Sequence, residues 1–198
     1  MHLFVSSRPL PMEELLQEYV KRTGNGRLLT TIPELPHAIQ KDAIEIRRDV
    51  NGKPYFPQIP QIRFSISHSG GFWACVFHEK EIGLDIEDPT IRRRTIPLDR
   101  LAKRYFSQEE QQYCEGKGLV AFLNVWTRKE AYLKCVGTGI AGGLSSISTV
   151  SGGTWKTSIN DRTIFDLANL PNFSDTGLIG ALCVEHTLVE GELSWSQR

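Results

Sequence analysis

Residues 82–88 read IGLDIED, and this short stretch decides how the chain around it can fold. Apolar residues alternate with a glycine and acids, which predicts a β-strand with one side turned toward a core. Asp85 and Glu87 then share the opposite side, because residues i and i+2 of a strand point the same way. Asp88 follows directly, points to the other side in a regular strand and is left out of the candidate site. The residues predicted to face the core are Ile82, Leu84 and Ile86.

The two acids are the first candidate for function. Like charges on one strand face repel, and a protein gains little by holding them together without a cation. Mg²⁺ suits such a pair because it accepts one or two carboxylates and fills its octahedron with water and phosphate oxygens. Mn²⁺ accepts the same oxygen donors. The alternative is a solvated strand edge, since exposed acids usually carry no function.

Strand and helix signals are mixed along the rest of the chain, which predicts an α+β protein. Pro11 to Arg22 has a proline at its start, acids in its first turn and bases in its last, as a helix ending at Gly24 would. Asn51-Gly52 predicts a tight hairpin turn. The other predicted strands are IRFSIS (62–67), FWACVF (72–77), TIFDLA (163–168) and LIGALCVEH (178–186). The other predicted helices are PELPHAIQKDA (33–43), PLDRLAKRYF (97–106), one starting at Ser107, and LVAFLNVWTRKEAYLKCV (119–136) closed by Gly137.

A faint repeat indicates how these elements are arranged. ACVFH (74–78) and LCVEH (182–186) are similar strand endings about a hundred residues apart. They predict two similar, pseudo-symmetric α/β halves, residues 1–81 and residues 82–198, with the acidic strand opening the second half. No low-complexity linker separates them, so the halves are expected to pack closely.

Composition excludes several classes of function. The chain has 198 residues, 40% hydrophobic and 23% charged, with 23 basic and 23 acidic residues. This balance argues against a nucleic-acid or membrane footprint. The four cysteines show no CxxC pair or zinc spacing, and residues 1–11 (MHLFVSSRPLP) do not resemble a signal peptide. We therefore expect a cytoplasmic protein with reduced cysteines and no membrane span.

Residues 126–134, WTRKEAYLK, place Glu130 and Lys134 one helical turn apart on the same face. One interpretation is a surface ion pair, which contributes only about 0.3–0.5 kcal/mol. The other is a site in which Glu130 completes the metal ligands and Lys134 meets a phosphate oxygen. Trp126 is expected to pack this row against the core. Lys129, about 100° around the helix from Glu130, is expected to lie off the site and to tolerate substitution.

Two further polar features allow two interpretations each. His68, between Ser67 and Ser69 in ISHSG, is either a polar hairpin tip or part of a phosphate grip made of hydroxyls, imidazole and backbone N–H groups. Glu110, three residues after Ser107, is either the partner in a helix capping box or a site residue.

Taken together, these stretches resemble the Sfp-type 4′-phosphopantetheinyl transferases. Five blocks occur in the order that is typical of the family: Gly52-Lys53-Pro54, the SISHSG stretch, Gly83-Leu84-Asp85-Ile86-Glu87, Phe106-Ser107-x-x-Glu110 and W-T-x-K-E-A-x-x-K. Each block alone is weak, but five in order with suitable spacing are specific. The resemblance implies a fold of two pseudo-symmetric halves and extends from about residue 52 to residue 145.

The resemblance implies a monomeric enzyme that moves phosphopantetheine from coenzyme A to a serine of an apo acyl or peptidyl carrier protein, releasing adenosine 3′,5′-bisphosphate. Asp85, Glu87 and Glu130 would hold Mg²⁺, with Glu130 also helping to deprotonate the serine. Coenzyme A would be contacted by Lys53, Ser67, His68 and Lys134.

One part of the family pattern is not matched. The basic cluster near the N-terminus that binds the 3′-phosphate of coenzyme A has no residue-by-residue counterpart here, although Arg27, Arg47 or Arg48 are available. Two rival functions also fit the residues: a Mg²⁺-dependent diphosphate hydrolase, and a non-catalytic module that binds carrier proteins.

Overall fold

The computed structural model describes residues 1–23, 44–91, 97–139, 143–185 and 193–198. The α-helices of these ranges are α1 (Met12–Arg22), α2 (Leu98–Tyr105), α3 (Gln108–Cys114) and α4 (Gly118–Val136). The strands are β1 (His2–Ser6), β2 (Arg47–Arg48), β3 (Pro54–Tyr55), β4 (Arg63–Ser69), β5 (Phe72–His78), β6 (Ile82–Glu87), β7 (Val150–Ser151), β8 (Thr154–Trp155), β9 (Ser158–Ile159), β10 (Arg162–Asp166), β11 (Ile179–Val184) and β12 (Ser194–Gln197). Short 3₁₀ turns lie at Leu144–Ser146, Leu167–Asn169 and Phe173–Thr176. The helix predicted over residues 33–43 and the stop at Gly24 lie outside the described residues.

The predicted α+β class is confirmed, and its strands form two four-stranded sheets. The first sheet has the order β12-β1-β5-β4, with β1 antiparallel to β5 and parallel to β12. The second has the order β6-β11-β10-β9, with β11 antiparallel to both neighbours. The two strands that carry the faint repeat, β5 and β11, each lie second from the edge at which β4 and β6 meet. The last strand, β12, adds to the sheet of the N-terminal half.

Helices cover both sheets, because each sheet has an apolar face. On the first sheet, α1 buries Leu15, Leu16 and Tyr19, and the Tyr19 ring stacks on Phe77 with centroids 5.5 Å apart. On the second sheet, α4 buries apolar residues against β11. Burying one large apolar side chain contributes about 1.5–3 kcal/mol, so these contacts are a main source of stability. None of the described helices is long and apolar enough to cross a membrane.

Strand β6 is buried on both of its sides. All six of its residues are buried, with 7% of Asp85 and 4% of Glu87 exposed. The interpretation of the two acids as a solvated strand edge is therefore wrong. A buried charge requires hydrogen bonds or an opposite charge close by, so groups around these two carboxylates must compensate their charge.

Serine hydroxyls bridge the seam, which is the contact between edge strands β4 and β6 of the two sheets. Edge strand β6 has main-chain N–H groups that face β4 instead of a strand of its own sheet. The hydroxyls of Ser65, Ser67 and Ser69 accept hydrogen bonds from the N–H groups of Leu84, Ile86 and Asp88, at 3.0, 3.1 and 3.0 Å. Buried N–H groups that would otherwise lack partners are thus satisfied by side chains.

Helix α4 lies against β6 at backbone distance because Gly83 has no side chain. A Cβ at Gly83 would lie 2.0 Å from the Ala131 carbonyl oxygen and 2.3 Å from the Cys135 nitrogen. Only glycine permits such an approach. The contacted residues Ala131 and Cys135 directly follow Glu130 and Lys134 on the helix, and Gly83 lies two residues before Asp85 on the strand, so the contact sets the distance between the predicted site residues.

A buried ion pair holds the opposite side of α4. The Lys129 ammonium lies 2.6 Å from the Glu110 carboxylate, and neither side chain is exposed (0% each). Burial lowers the pKa of the Lys129 ammonium, and the Glu110 carboxylate opposes that shift. Glu110 also forms the predicted capping box with Ser107 and accepts two hydrogen bonds from Thr149, at 2.7 and 2.9 Å. The expectation that Lys129 tolerates substitution is wrong, because its charge is buried and paired.

The close approach at Gly83 leads to a first prediction. Gly83→Ala forces the helix backbone to move, and overpacking of this kind costs about 1–3 kcal/mol or more. Urea unfolding should show this loss of stability. Gly71→Ala is the matched control, because nothing lies within 4 Å of a Cβ there. Equal stability of the two variants would contradict the packing described here.

The buried pair leads to a second prediction. Lys129→Gln or Glu110→Gln leaves an uncompensated buried charge, and we expect each to lower the free energy of unfolding by about 3–5 kcal/mol. The exposed Lys103 on α2 is the control, and Lys103→Gln should change the stability by less than about 0.5 kcal/mol. A mild effect of both Gln variants at Glu110 and Lys129 would show that the pair contributes little.

Candidate active site

A cavity of about 480 Å³ opens beside the seam between the two sheets and is walled on one side by α4. It brings together the seven residues predicted to act in catalysis or to bind the metal and coenzyme A. They come from the β2–β3 hairpin, from β4, from β6 and from α4: Lys53, Ser67, His68, Asp85, Glu87, Glu130 and Lys134. Trp126 also lines it and packs against Tyr105, with ring centroids 6.0 Å apart. Glu110 does not line it, so the capping interpretation of Glu110 is confirmed.

The two acids of β6 are held by hydroxyls of β4. The Ser67 hydroxyl donates to Asp85 Oδ1 at 2.9 Å, and the Ser69 hydroxyl donates to Glu87 Oε2 at 2.7 Å. Sequence reasoning did not give Ser69 a separate role. A signal was present, because the spacing of Ser65, Ser67 and Ser69 in β4 matches the period of two in β6.

Lys134 neutralises part of the negative charge. Its ammonium lies 2.7 Å from Asp85 Oδ1 and also donates to the Leu84 carbonyl oxygen at 3.0 Å. Its side chain is 32% exposed, so it reaches both the acids and the open cavity. The interpretation of Glu130 and Lys134 as a simple surface ion pair is wrong, because Lys134 pairs with Asp85 and only 8% of Glu130 is exposed.

Glu130 carries a buried oxygen that lacks a partner. Among the described residues, no group hydrogen-bonds to Glu130 Oε1. Burial raises the pKa of the Glu130 carboxyl to about 7, and the negative charges of Asp85 and Glu87 add to the shift while Lys134 opposes it. A carboxylate in this position is costly unless a cation or a proton neutralises it.

The donors fit a hard divalent cation in their chemistry. Three carboxylates face one cavity, and one of their oxygens is buried without a partner. Their present spacing does not form a closed ligand set, since the described ranges contain no group of three His, Cys, Asp or Glu side chains placed to hold a metal. One oxygen of Asp85 is instead engaged by Lys134.

The remaining predicted residues, Lys53 and His68, also line the cavity. The Lys53 ammonium is bound to the Glu81 carboxylate and to the Cys135 carbonyl oxygen, the latter at 2.6 Å. It therefore ties the β2–β3 hairpin to α4 while its side chain lines the cavity. His68 is exposed near the end of β4. Arg48 also lines the cavity and donates to the Gly52 carbonyl oxygen at 2.8 Å, whereas Arg47 pairs with Glu45.

Comparison with known proteins shows which family part of this chain is similar to. Residues 81–175 match the family model of the 4′-phosphopantetheinyl transferase superfamily. The 4′-phosphopantetheinyl transferase Sfp of Bacillus subtilis (strain 168) is 32% identical over 137 residues, which cover 67% of this chain and 59% of that protein. The 4′-phosphopantetheinyl transferase psf-1 of Bacillus pumilus is 33% identical over 117 residues, covering 57% of this chain and 48% of that protein.

A further 4′-phosphopantetheinyl transferase of Bacillus subtilis is 38% identical over 101 residues, covering 49% of this chain and 43% of that protein. The chain thus spans about half the length of the curated relatives it matches. The matched residues include β6 and α4, the two elements that carry the acids and the lysine of the cavity. Residues 81–175 of this chain are therefore similar to the 4′-phosphopantetheinyl transferase superfamily.

Proposed function

We propose that this protein transfers 4′-phosphopantetheine from coenzyme A to a serine of an apo acyl or peptidyl carrier protein. The reaction requires Mg²⁺ and releases adenosine 3′,5′-bisphosphate. The observation that supports this most directly is the cavity in which three carboxylates of β6 and α4 lie beside Lys134. We further propose that the protein works as a cytoplasmic monomer.

Asp85, Glu87 and Glu130 would hold the metal, and Mn²⁺ could replace Mg²⁺ because it accepts the same donors. When bound, such a cation neutralises the diphosphate of coenzyme A while one of its bonds breaks. The unpartnered Glu130 oxygen and the burial of all three carboxylates support this assignment.

Coenzyme A would occupy the cavity with its diphosphate near Lys134 and His68. Lys134 is already placed beside Asp85 and is partly exposed, so it can shift toward a phosphate oxygen without leaving the site. Ser67 and Lys53 line the same cavity. For the 3′-phosphate, Arg48 is favoured over Arg47, because Arg48 lines the cavity and Arg47 is paired with Glu45.

The transfer step needs positioning and charge neutralisation more than covalent chemistry by the protein. The serine oxygen of the carrier forms a bond to the phosphorus next to the pantetheine, and the bond from that phosphorus to the diphosphate bridging oxygen breaks. Glu130 would receive the serine proton, and Lys134 would neutralise charge on the leaving group.

The two rival functions predict different products. A diphosphate hydrolase would use water and release free phosphopantetheine without a carrier protein. A binding module would form a complex with the carrier and leave coenzyme A intact. The presence of all three acids and Lys134 in one cavity favours the transferase over a module with a decayed site.

The third prediction tests the activity itself. We expect the protein, incubated with coenzyme A, Mg²⁺ and several apo-carrier proteins, to raise the mass of at least one carrier by one phosphopantetheine group, as measured by mass spectrometry. EDTA should stop the reaction and added Mg²⁺ should restore it. Unchanged mass for every carrier would count against the transferase, and free phosphopantetheine would favour the hydrolase.

The fourth prediction separates the roles of two residues of α4. Glu130→Gln removes a metal charge and the candidate base, so kcat should fall by about a hundredfold or more. Lys134→Gln removes a charge that meets the diphosphate before and during bond breaking, so KM for coenzyme A should rise as kcat falls. Steady-state kinetics on the carrier measure both.

The matched controls are Glu79→Gln and Lys80→Gln, two exposed residues in the turn between β5 and β6. Both should retain the kinetic constants of the wild type. If Glu130→Gln also keeps its kcat, the proton must leave by another route, and Glu130 has to be removed from the site.

A further inference from the structure

The seam between β4 and β6 is built from a repeated unit. In each unit, the hydroxyl of one β4 serine accepts a hydrogen bond from the main-chain N–H of a residue in β6 or directly after it. The same serine faces the side chain of the residue before that one. The Ser67 hydroxyl accepts a hydrogen bond from the N–H of Ile86 and donates one to Asp85. The Ser69 hydroxyl accepts a hydrogen bond from the N–H of Asp88 and donates one to Glu87. The β4 and β6 positions both advance by two, so the strands run parallel here.

A third unit has the same backbone contact without an acid. Ser65 accepts the N–H of Leu84 at 3.0 Å, and the preceding position is Gly83, which has no side chain. The seam therefore needs a serine at all three positions, but only Ser67 and Ser69 have a carboxylate to direct. This separates the structural part of the unit from any effect on the acids.

The geometry of a hydroxyl explains how the unit can orient a carboxylate. A serine oxygen has one proton and two lone pairs. Accepting the main-chain N–H uses a lone pair, and the single proton is then free to point at the carboxylate. With 5% of Ser67 and 9% of Ser69 exposed, water competes little for these bonds. Each carboxylate is thereby tied to the backbone of the neighbouring sheet as well as to its own strand.

We propose that Ser67 and Ser69 are positioning residues that pre-orient Asp85 and Glu87 for a divalent cation. The inference rests on the proposed role of these two acids as metal ligands. It assigns Ser67 an action through Asp85, in addition to its place on the cavity wall. Ser69 gives the cleaner test, because the Ser67 hydroxyl also contacts Lys134, at 3.3 Å.

The experiment compares Ser69→Ala, Ser67→Ala and Ser65→Ala in the full chain, with Mn²⁺ as the probe. Each variant loses one seam hydrogen bond, so Ser65→Ala should unfold about 2–4 °C below the wild type when no metal is present. Ser67→Ala and Ser69→Ala lose a further buried hydrogen bond and should unfold at least as far below it. Only the first two lose a contact to a carboxylate. Removing a residue that hydrogen-bonds a metal ligand changes the affinity for the metal by about 10–100-fold. The Kd for Mn²⁺ should therefore rise at least about tenfold in Ser69→Ala and Ser67→Ala and stay unchanged in Ser65→Ala.

Titration of free Mn²⁺ by electron paramagnetic resonance measures the Kd without coenzyme A or a carrier. Ser69→Thr keeps the hydroxyl and should recover most of the affinity. A wild-type Kd for Mn²⁺ in Ser69→Ala, or an equal rise of this Kd in Ser65→Ala, would overturn the positioning role of the serines. Either result would leave the metal role of the acids in place. Wild-type protein that binds no Mn²⁺ would overturn both this role and the metal part of the proposed function.

Discussion

The contact between Gly83 and the backbone of helix α4 is the constraint on which the site depends. A side chain at this position would occupy the space of the Ala131 carbonyl and the Cys135 nitrogen. Since the helix can lie directly on the strand, Glu130 and Lys134 reach the same cavity as Asp85. A helix held farther away by one methyl group would separate the acid of the helix from the acids of the strand.

The site concentrates negative charge where water is largely excluded. Three mostly buried carboxylates share one cavity, and Lys134 and the seam hydroxyls reduce the cost of that charge, while the raised pKa of Glu130 reflects it. This arrangement is unfavourable for a purely structural core, in which apolar residues of similar size would do as well or better. It suits a protein that binds a cation and a diphosphate together.

Two adjacent residues of helix α4 have different surroundings. Lys129 points into a buried network with Glu110 and Thr149, while the adjacent Glu130 faces the cavity. The sequence could not reveal this difference. Lys129 occurs in a helical stretch whose charges look like surface charges in the sequence, and its partner is 19 residues away on another helix. Burial of a charge depends on what packs over it, and that is a property of the tertiary structure.

The sequence by itself determined the α+β class, the hairpin at Asn51-Gly52, the four described helices, strands β4, β5, β6, β10 and β11, and seven of the residues that line the cavity, because periodicity, turn residues and spaced motifs are local signals. Strands β1 and β12, which complete the first sheet, were not predicted. Only the tertiary structure decided that β6 is buried on both sides, that Lys134 pairs with Asp85, and that Ser69 bridges two sheets to hold Glu87. These features join residues that are distant along the chain, and no pattern within one segment specifies which distant atoms come within hydrogen-bond distance.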